Sequence, residues 1–146
     1  LPEVWEDEFV SIQERYKRGV FALDTALFLH DLTDRTPHKF HMAFPYGYNT
    51  SSPKAAVILC TCKKEPYYSL GIALVDTPAG NTVRAYNAEK TLCEILKPIS
   101  HTDIQIITDA FKRYAGRKDK NIPLLSEYAH QLRVEKRLRP YLEVLL

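Results

Sequence analysis

One segment in the middle of the chain, residues 71–96, constrains the fold more than any other. Two strand-like runs, 71–76 and 82–86, flank a loop of about five residues that contains Gly80-Asn81. A loop of this kind joins adjacent antiparallel strands, so the sequence predicts a β-hairpin. Asn87 follows directly and can cap a helix, because its side-chain oxygen can accept a hydrogen bond from an N–H of the first turn. The apolar residues of this helix are Leu92, Ile95 and Leu96, and Pro98 closes it.

Two further helices are predicted near the N-terminus. Residues 3–17 have apolar residues at helical spacing, and Gly19 is a suitable C-terminal stop. Asp24 can cap a second helix that ends before Pro37, since the residue before a proline disfavours helical geometry. The apolar stripe of the first helix consists of Trp5, Phe9, Ile12 and Tyr16.

The residues between these helices and the hairpin predict strands. Residues 39–44 alternate between apolar and polar types and stop at Pro45, which predicts a half-buried strand. Residues 46–53 are rich in Gly, Asn, Ser and Pro, as loops are. The continuous apolar run 55–60 has strand length and favours a buried strand.

The C-terminal third predicts helices again. Thr102 and Gln105 have the spacing of a capping box, and Gly116 suits the end of that helix. Pro123 suits the first position of the next helix. Pro140 interrupts the last apolar stripe, which predicts a kink or a restart there. The expected inward-facing residues of the three helices are Ile104, Ile107, Phe111 and Tyr114, then Leu125, Tyr128, Ala129 and Leu132, then Val134, Leu138, Tyr141, Leu142 and Leu145.

The order of these elements predicts an α+β fold. Strands grouped between helices favour a small mixed or antiparallel sheet, packed by the N-terminal helices and a C-terminal group of helices. The length suits a single domain over residues 1–146. The chain is 45% hydrophobic and 26% charged, as ordinary globular proteins are, and no apolar run approaches the roughly 18 residues that suggest a membrane span.

The cysteines bear on compartment and on metal binding. Cys60, Cys62 and Cys93 are an odd number in a chain with ample apolar residues, which favours a reducing, cytoplasmic setting. Zinc is the alternative, but structural zinc sites use cysteine pairs two to four residues apart with four ligands in all. The Cys-x-Cys pair at the end of an apolar strand and a cysteine on an apolar helix favour buried, small hydrophobic side chains instead. We therefore expect neither a metal nor another cofactor.

The sequence contains no catalytic pattern that withstands inspection, which predicts a protein that is not an enzyme. Phosphate-binding glycine loops, a nucleophile elbow and a zinc-protease motif are absent from the sequence. His38 and His41 are expected at the surface. His30 could belong to an acid–base site with its neighbours Asp31, Asp34 and Arg35, but a histidine at a helix C-terminus more often acts electrostatically there. An acid in a first turn, such as Glu89, stabilises its own helix in the same way.

Positive charge is concentrated near the C-terminus, although the net charge is only +2. Residues 112–139 contain nine Lys or Arg and three acids, which gives +6. Such a segment can bind nucleic-acid phosphates or an acidic protein face, and its simplest alternative is a solvated helical surface. The candidate residues for binding a partner or nucleic acid are Lys112, Arg113, Arg117, Lys118, Lys120, Arg133, Lys136 and Arg137.

Four pieces of the sequence, in order, resemble the C-terminal domain of AbiEi-family antitoxins from bacterial abortive-infection toxin–antitoxin systems. The likeness spans nearly the whole chain. The pieces are residues 16–37 with Thr25-Ala26-Leu27-Phe28-Leu29-His30 and Thr33-Asp34-Arg35-Thr36-Pro37; residues 44–49 with Phe44-Pro45 and Gly47-Tyr48-Asn49; residues 70–93 with Val83-Arg84-Ala85-Tyr86 and Glu89-Lys90-Thr91-Leu92-Cys93; and Asp103 to Tyr114 with the basic tail.

The resemblance implies an antitoxin domain that counteracts a nucleotidyltransferase-like toxin in phage defence. In this family an N-terminal winged helix-turn-helix binds operator DNA and represses the operon, so the resemblance implies that such a domain precedes Leu1 and that the longer protein is an autoregulatory repressor. Pro140 departs from the family pattern in the last helix. The alternative is an accessory nucleic-acid-binding domain that uses the basic segment 112–139. A degenerate nuclease or nucleotidyltransferase is a third possibility, disfavoured because Glu89 is followed directly by Lys90 rather than one residue later.

Overall fold

The computed structural model describes residues 7–146, which fold into a mixed five-stranded sheet and helices on both of its sides. This arrangement confirms the predicted α+β class. The strands are β1 (Val20–Phe21), β2 (His41–Pro45), β3 (Leu59–Lys63), β4 (Ile72–Asp76) and β5 (Thr82–Tyr86). The helices are α1 (Glu8–Arg15), α2 (Leu23–Leu29), α3 (Ser51–Ala55), α4 (Ala88–Ile95), α5 (Ile104–Ala115), α6 (Ile122–Leu132) and α7 (Glu135–Val144), with a 3-10 helix at Pro98–Ser100.

The strand order in the sheet is β3-β2-β1-β5-β4. The central strand β1 runs parallel to β5 and antiparallel to β2, and β2 runs parallel to β3. The predicted hairpin is confirmed: β4 and β5 pair antiparallel across the loop 77–81. Strands β3 and β4 are therefore the two edges of the sheet.

Three groups of buried residues form the core. One sheet face carries Phe21, Met42 and Phe44 under α1, and the opposite face carries Val20 and Ala43. The third and largest group lies among α2 and the C-terminal helices, with Leu92 of α4 at its centre. Helix α4 therefore lies between the sheet and the remaining helices.

The first two helices differ from the sequence prediction at their ends. Asp7 caps α1 by accepting a hydrogen bond from the Phe9 N–H, and the helix ends at Tyr16. Gly19 lies after that end, where a Cβ atom would come within 2.6 Å of the Met42 side chain. Asp24 is not the cap of α2, because the helix already starts at Leu23. Its N-cap is Ala22, whose side chain makes no hydrogen bond. The predicted stripe residue Trp5 lies outside the described residues.

The region from 46 to 63 corrects two predictions. Residues 51–55 form the short helix α3 within and beyond the predicted loop. The predicted buried strand 55–60 is wrong, since the strand is Leu59–Lys63 and is partly exposed. The periodicity of a short apolar run does not distinguish a strand from a helix. Pro53 is tolerated in the first turn of α3, because backbone N–H groups there have no partner within the helix and proline lacks this N–H.

The C-terminal helices form nearly as predicted. Helix α5 ends at Gly116 as expected, but Asp103 rather than Thr102 caps it, with Asp103 accepting from the Gln105 N–H. Pro123 lies in the first turn of α6, after Ile122. All four predicted inward residues of α6 are buried, whereas Ile104 of α5 is 64% exposed.

Helix α7 continues through Pro140, so the predicted restart is wrong. Proline cannot donate to the carbonyl one turn earlier, that of Lys136. Both Lys136 and Pro140 are exposed, so water can reach this carbonyl in place of the missing donor.

Candidate functional site

Helix α4 is the structural centre of the candidate site. Asn87 caps it as predicted, with its side-chain oxygen accepting a 2.8 Å hydrogen bond from the Lys90 N–H. Every residue from Ala88 to Ile95 is buried, including the ionisable residues Glu89, Lys90 and Glu94. Buried charges are retained only with partners, so each of these three side chains has to be accounted for.

Lys90 is fully buried and its ammonium group has four neighbours. Its Nζ donates 2.8 Å hydrogen bonds to the carbonyls of Tyr67 and Leu70, lies 3.7 Å from the centre of the Tyr86 ring and is 3.8 Å from a carboxylate oxygen of Glu94. Burial lowers the pKa of Lys90 to about 8, although the charge of Glu94 opposes this shift. Lys90 thus fastens the loop between β3 and β4 to the buried helix.

Glu94 is 3% exposed and lies between two lysines. Its Oε2 is 2.7 Å from the Nζ of Lys63 on β3 and 3.8 Å from that of Lys90. The approach of Lys63 has the distance of an ion pair but not the angles of a hydrogen bond, and neither carboxylate oxygen has a hydrogen-bond partner among residues 7–146. Glu94 therefore retains open acceptor positions in a buried setting.

Glu89 has a separate partner on α5. The Tyr114 hydroxyl donates a 2.6 Å hydrogen bond to Glu89 Oε2 and accepts one of 2.6 Å from the Asn121 N–H. Burial and this hydrogen bond raise the pKa of Tyr114. Glu89 does lie in the first turn of α4 as predicted, but its bond to Tyr114 also ties α4 to α5 and to the start of α6.

A cavity of about 390 Å³ opens beside Glu94. It lies between the β2–β3 side of the sheet and the turn that follows α4. Its lining comprises the apolar residues Leu23 and Ile99 together with His41, Cys60, Thr61, Lys63, Glu94, Lys97, Ser100 and His101. The parallel register pairs His41 with Leu59 and Ala43 with Thr61, so His41, Thr61 and Lys63 point to the same face of the sheet. Four different elements thus direct polar groups into one enclosure.

Two lining side chains are electrostatically perturbed. Burial lowers the pKa of His41, whose Nε2 lies 2.6 Å from the Thr61 hydroxyl. Burial also lowers the pKa of Lys97, and the positive charges of Lys63 and Arg133 add to the decrease. His38 is exposed as expected, whereas His41 is only partly exposed.

The basic segment proposed from the sequence divides into two groups. The first lies at the end of α5 and in the following loop, where Arg113 pairs with Asp109 at 2.9 Å and Arg117 pairs with Asp119 at 2.9 Å. Arg117 also donates a 2.8 Å hydrogen bond to the His30 carbonyl. The remaining residues of this group are Lys112 and Lys118, which are exposed, and Lys120, which donates to the Ala115 carbonyl.

The second basic group lies where α6 meets α7. Arg133, Lys136 and Arg137 are exposed there and line a shallow depression with His130 and Glu135. The eleven residues of α6 separate this group from Lys120, a distance of roughly 16 Å along a helix. The structure therefore brings the predicted binding residues together in two places, not in one continuous patch.

His30 does not have the electrostatic role that the sequence predicted for a histidine at the end of a helix. Its Nε2 donates a 2.7 Å hydrogen bond to the Tyr86 carbonyl, and burial lowers its pKa. A neutral imidazole gives little charge to a helix terminus, so His30 instead connects α2 with β5. Its neighbours Asp31, Asp34 and Arg35 are exposed, and the first of them lies 4.0 Å from Arg113.

The cysteines follow the prediction in part. Cys93 is buried, and burial raises its pKa to about 12, so it remains a thiol. Cys60 is partly exposed and Cys62 is exposed, because β3 is an edge strand. Among residues 7–146, no three His, Cys, Asp or Glu side chains are grouped so that they could hold a metal ion. Over the same range, no helix has the length and apolar character to cross a membrane.

Comparison with models of known protein families gave no match, and comparison with curated proteins gave none either. The resemblance to AbiEi antitoxins consequently rests on the residues of this chain.

The polar cavity was missed by sequence reasoning. One signal was available: Lys90 and Glu94 have the (i, i+4) spacing of a helical ion pair, on a helix whose other residues include Leu92, Cys93 and Ile95. Charges inside so apolar a segment indicate burial. The approach of Lys63 from β3 has no local sequence signal, because it depends on the parallel pairing of β2 with β3.

Proposed function

We propose that this chain is the antitoxin domain of an abortive-infection toxin–antitoxin system and counteracts a nucleotidyltransferase-like toxin without itself being an enzyme. In a longer protein, an N-terminal winged helix-turn-helix would add repression of the operon, and operator DNA would be bound mainly by that part. The protein would act in the bacterial cytoplasm, together with the toxin.

The burial of α4 is the observation that carries the proposal furthest. Residues 89–93, which belong to one of the four pieces that resemble AbiEi sequences, lie wholly inside this helix, and the charged residues Glu89 and Lys90 have specific interior partners. Substitution of a buried, paired charge is strongly destabilising, so a sequence likeness at such positions reflects shared architecture rather than common surface composition. The exposed basic residues then provide a surface for the toxin.

Co-expression with the cognate toxin tests the proposal. Cells that produce the toxin should regain growth when residues 1–146 are produced with it. Leu92→Asp, which introduces a charge into the core, is the non-folding control and should not rescue. If the folded domain accumulates and growth still fails, the proposal is wrong.

Charge reversal tests whether the basic surface takes part. Lys136→Glu with Arg137→Glu changes two exposed residues, as does the control pair Lys39→Glu with Lys54→Glu elsewhere on the protein. The first pair should weaken rescue while the control pair leaves it intact, because a complementary acidic face would be repelled. Equal rescue by both pairs would remove the α6–α7 group from the contact surface.

Accessory nucleic-acid binding is the second candidate function. It is favoured by the exposure of Lys112, Lys118, Arg133, Lys136 and Arg137, none of which has an ion-pair partner within residues 7–146. Binding through phosphates should weaken steeply with salt, with a log–log slope of about −0.9 per phosphate neutralised on duplex DNA. A titration of operator DNA at several salt concentrations checks this, and a slope near zero would eliminate it.

A further inference from the structure

The cavity beside Glu94 has features that the antitoxin proposal does not require. It is bounded by β2, β3, α4 and the turn after α4, and its lining includes two ammonium groups, Lys63 and Lys97, with one carboxylate. A third ammonium group, that of Lys90, lies 3.8 Å from the same carboxylate. Three positive charges around one negative charge leave the enclosure electropositive.

Glu94 supplies a second, independent observation. It is 3% exposed and lines the cavity. Its Oε2 lies 2.7 Å from the Lys63 ammonium group, whereas its Oε1 has no hydrogen-bond partner among the described residues 7–146. A buried polar atom of this kind normally has a partner, because the loss of water without a replacement is costly. A ligand hydroxyl or amino group would provide the missing donor.

The lining does not suit a metal cation, because no three His, Cys, Asp or Glu side chains among residues 7–146 are grouped so that they could hold one. Hard divalent ions require several oxygen ligands, and Glu94 is the one carboxylate of the lining. The ammonium groups of Lys63 and Lys97 would repel a metal ion, and they would attract an anion. Lysine is a common phosphate ligand as a compact point charge.

We propose that this cavity binds a phosphomonoester that also carries hydroxyl groups, as a sugar phosphate or a nucleotide does. Lys63 and Lys97 hold the phosphate, and Glu94 accepts a hydrogen bond from a hydroxyl group of the ligand. A volume of about 390 Å³ is within the range of small-molecule sites. The site does not depend on the proposed antitoxin function. None of the candidate residues of the basic segment lines it, although Arg133 is near enough to act electrostatically on Lys97.

The Lys97 environment agrees with an anionic occupant. Burial lowers the pKa of Lys97, and the charges of Lys63 and Arg133 lower it further while that of Glu94 opposes them, so a bound phosphate would favour the charged form of this lysine. Ser100 reinforces the shape of the turn by donating to the carbonyls of Ile95 and Lys97. The lysine is therefore presented from a turn that is held in place before any ligand arrives.

Calorimetric titration of the whole chain with ribose 5-phosphate, adenosine 5′-monophosphate and inorganic phosphate tests the proposal. The two organic phosphates should bind at least about tenfold more tightly than inorganic phosphate, because they alone offer a sugar hydroxyl group that can reach Glu94 while Lys63 and Lys97 hold the phosphate. Absence of binding by all three probes at millimolar concentration would overturn the proposal.

Variants assign the binding to the cavity. Lys97→Met should weaken binding by at least about tenfold, and Lys97→Arg should restore part of it. Lys64→Met is the matched control, since Lys64 follows Lys63 directly but is exposed and lies near the Tyr46 ring. Glu94→Gln should reduce the preference for ribose 5-phosphate over inorganic phosphate. Equal losses in Lys97→Met and Lys64→Met would contradict the assignment.

A nucleic-acid end is the other source of a phosphomonoester. An oligonucleotide with a 5′-phosphate and the same oligonucleotide with a 5′-hydroxyl separate the two sources. Preference for the phosphorylated strand, lost in Lys97→Met, would support the site with a strand end as its ligand. Equal binding of both strands, with no binding of the small phosphates, would refute it and point to the exposed basic residues.

Discussion

Removal of one buried oxygen atom, by Tyr114→Phe, tests whether α4 is held through its charged residues. The Tyr114 side chain is 1% exposed, and its hydroxyl bridges Glu89 Oε2 and the Asn121 N–H at 2.6 Å each. A hydrogen bond to a charged group contributes about 1.5–3 kcal/mol, and one between neutral groups about 0.5–1.5 kcal/mol. The expected loss in free energy of unfolding is therefore about 2–4 kcal/mol.

Urea denaturation and a thermal melt measure this loss. For a chain of this size, 1 kcal/mol corresponds to about 3 °C, so the melting temperature should fall by roughly 6–12 °C. Tyr141→Phe is the control: its ring stacks on Phe111 at 4.4 Å, but its hydroxyl has no hydrogen bond among the described residues 7–146. This variant should stay within about 0.5 kcal/mol of the wild type.

A double-mutant cycle identifies the partner. If Tyr114 acts through Glu89, the effects of Tyr114→Phe and Glu89→Gln should be strongly non-additive, since both remove the same contact. A loss below about 0.5 kcal/mol for Tyr114→Phe, or equal losses in the Tyr114 and Tyr141 variants, would refute the reasoning.

Three further predictions concern the interior. Lys90→Met should cost about 2–5 kcal/mol in urea denaturation, because two buried carbonyls lose their donor and Glu94 loses a neighbouring charge. Gly71→Ala should cost about 1–3 kcal/mol more than Gly80→Ala in the same assay: both have positive φ, but only at Gly71 would a Cβ come within 2.7 Å of a side chain. Stability should fall as the pH drops below 6.5, since burial lowers the pKa of His30 and the unfolded chain takes up the proton first. Urea denaturation from pH 7.5 to 5, in roughly half-unit steps, measures this slope.

Each of these has a contradicting outcome. Lys112→Met on the exposed face of α5 should be neutral, and a Lys90→Met variant as stable as this control would show that the buried ammonium group is dispensable. Equal costs at the two glycines would show that the close approach is relieved by local movement. Because burial lowers the pKa of His41 as well, replacing both histidines by Gln should flatten the pH dependence, and an unchanged slope would assign it to other groups.

The hairpin and the capped helix after it could be predicted because their signals are local. Gly80-Asn81 lies between two strand-like runs, and Asn87 caps the helix through a contact to a residue three positions later. The apolar spacing of α6 similarly predicted its buried face. Helix caps were harder to predict. Thr102 is one position from the true cap Asp103, which has an equally suitable side chain, and Asp24 is two positions from Ala22, which caps α2 without a side-chain hydrogen bond and so has no signal in the sequence.

The parts that failed depend on contacts distant in the sequence. The run 55–60 is apolar, but its neighbours favour a helix through residue 55 and a strand only from Leu59, where pairing with β2 begins. Glu94 meets Lys63 through the packing of α4 across the sheet, which no spacing in the sequence indicates. In the basic segment, the ion pairs of Arg113 with Asp109 and of Arg117 with Asp119 are local, whereas the division of the exposed residues between the two ends of α6 follows from the fold. The binding role of these residues stays a prediction.

Growth of toxin-producing cells is the most direct test of the central claim. Viable counts should be restored by residues 1–146 and by Tyr141→Phe, and not by Leu92→Asp, with the amount of folded domain measured in each strain. Counts that remain at the toxin-only value, in cells that contain folded domain, would contradict the antitoxin function.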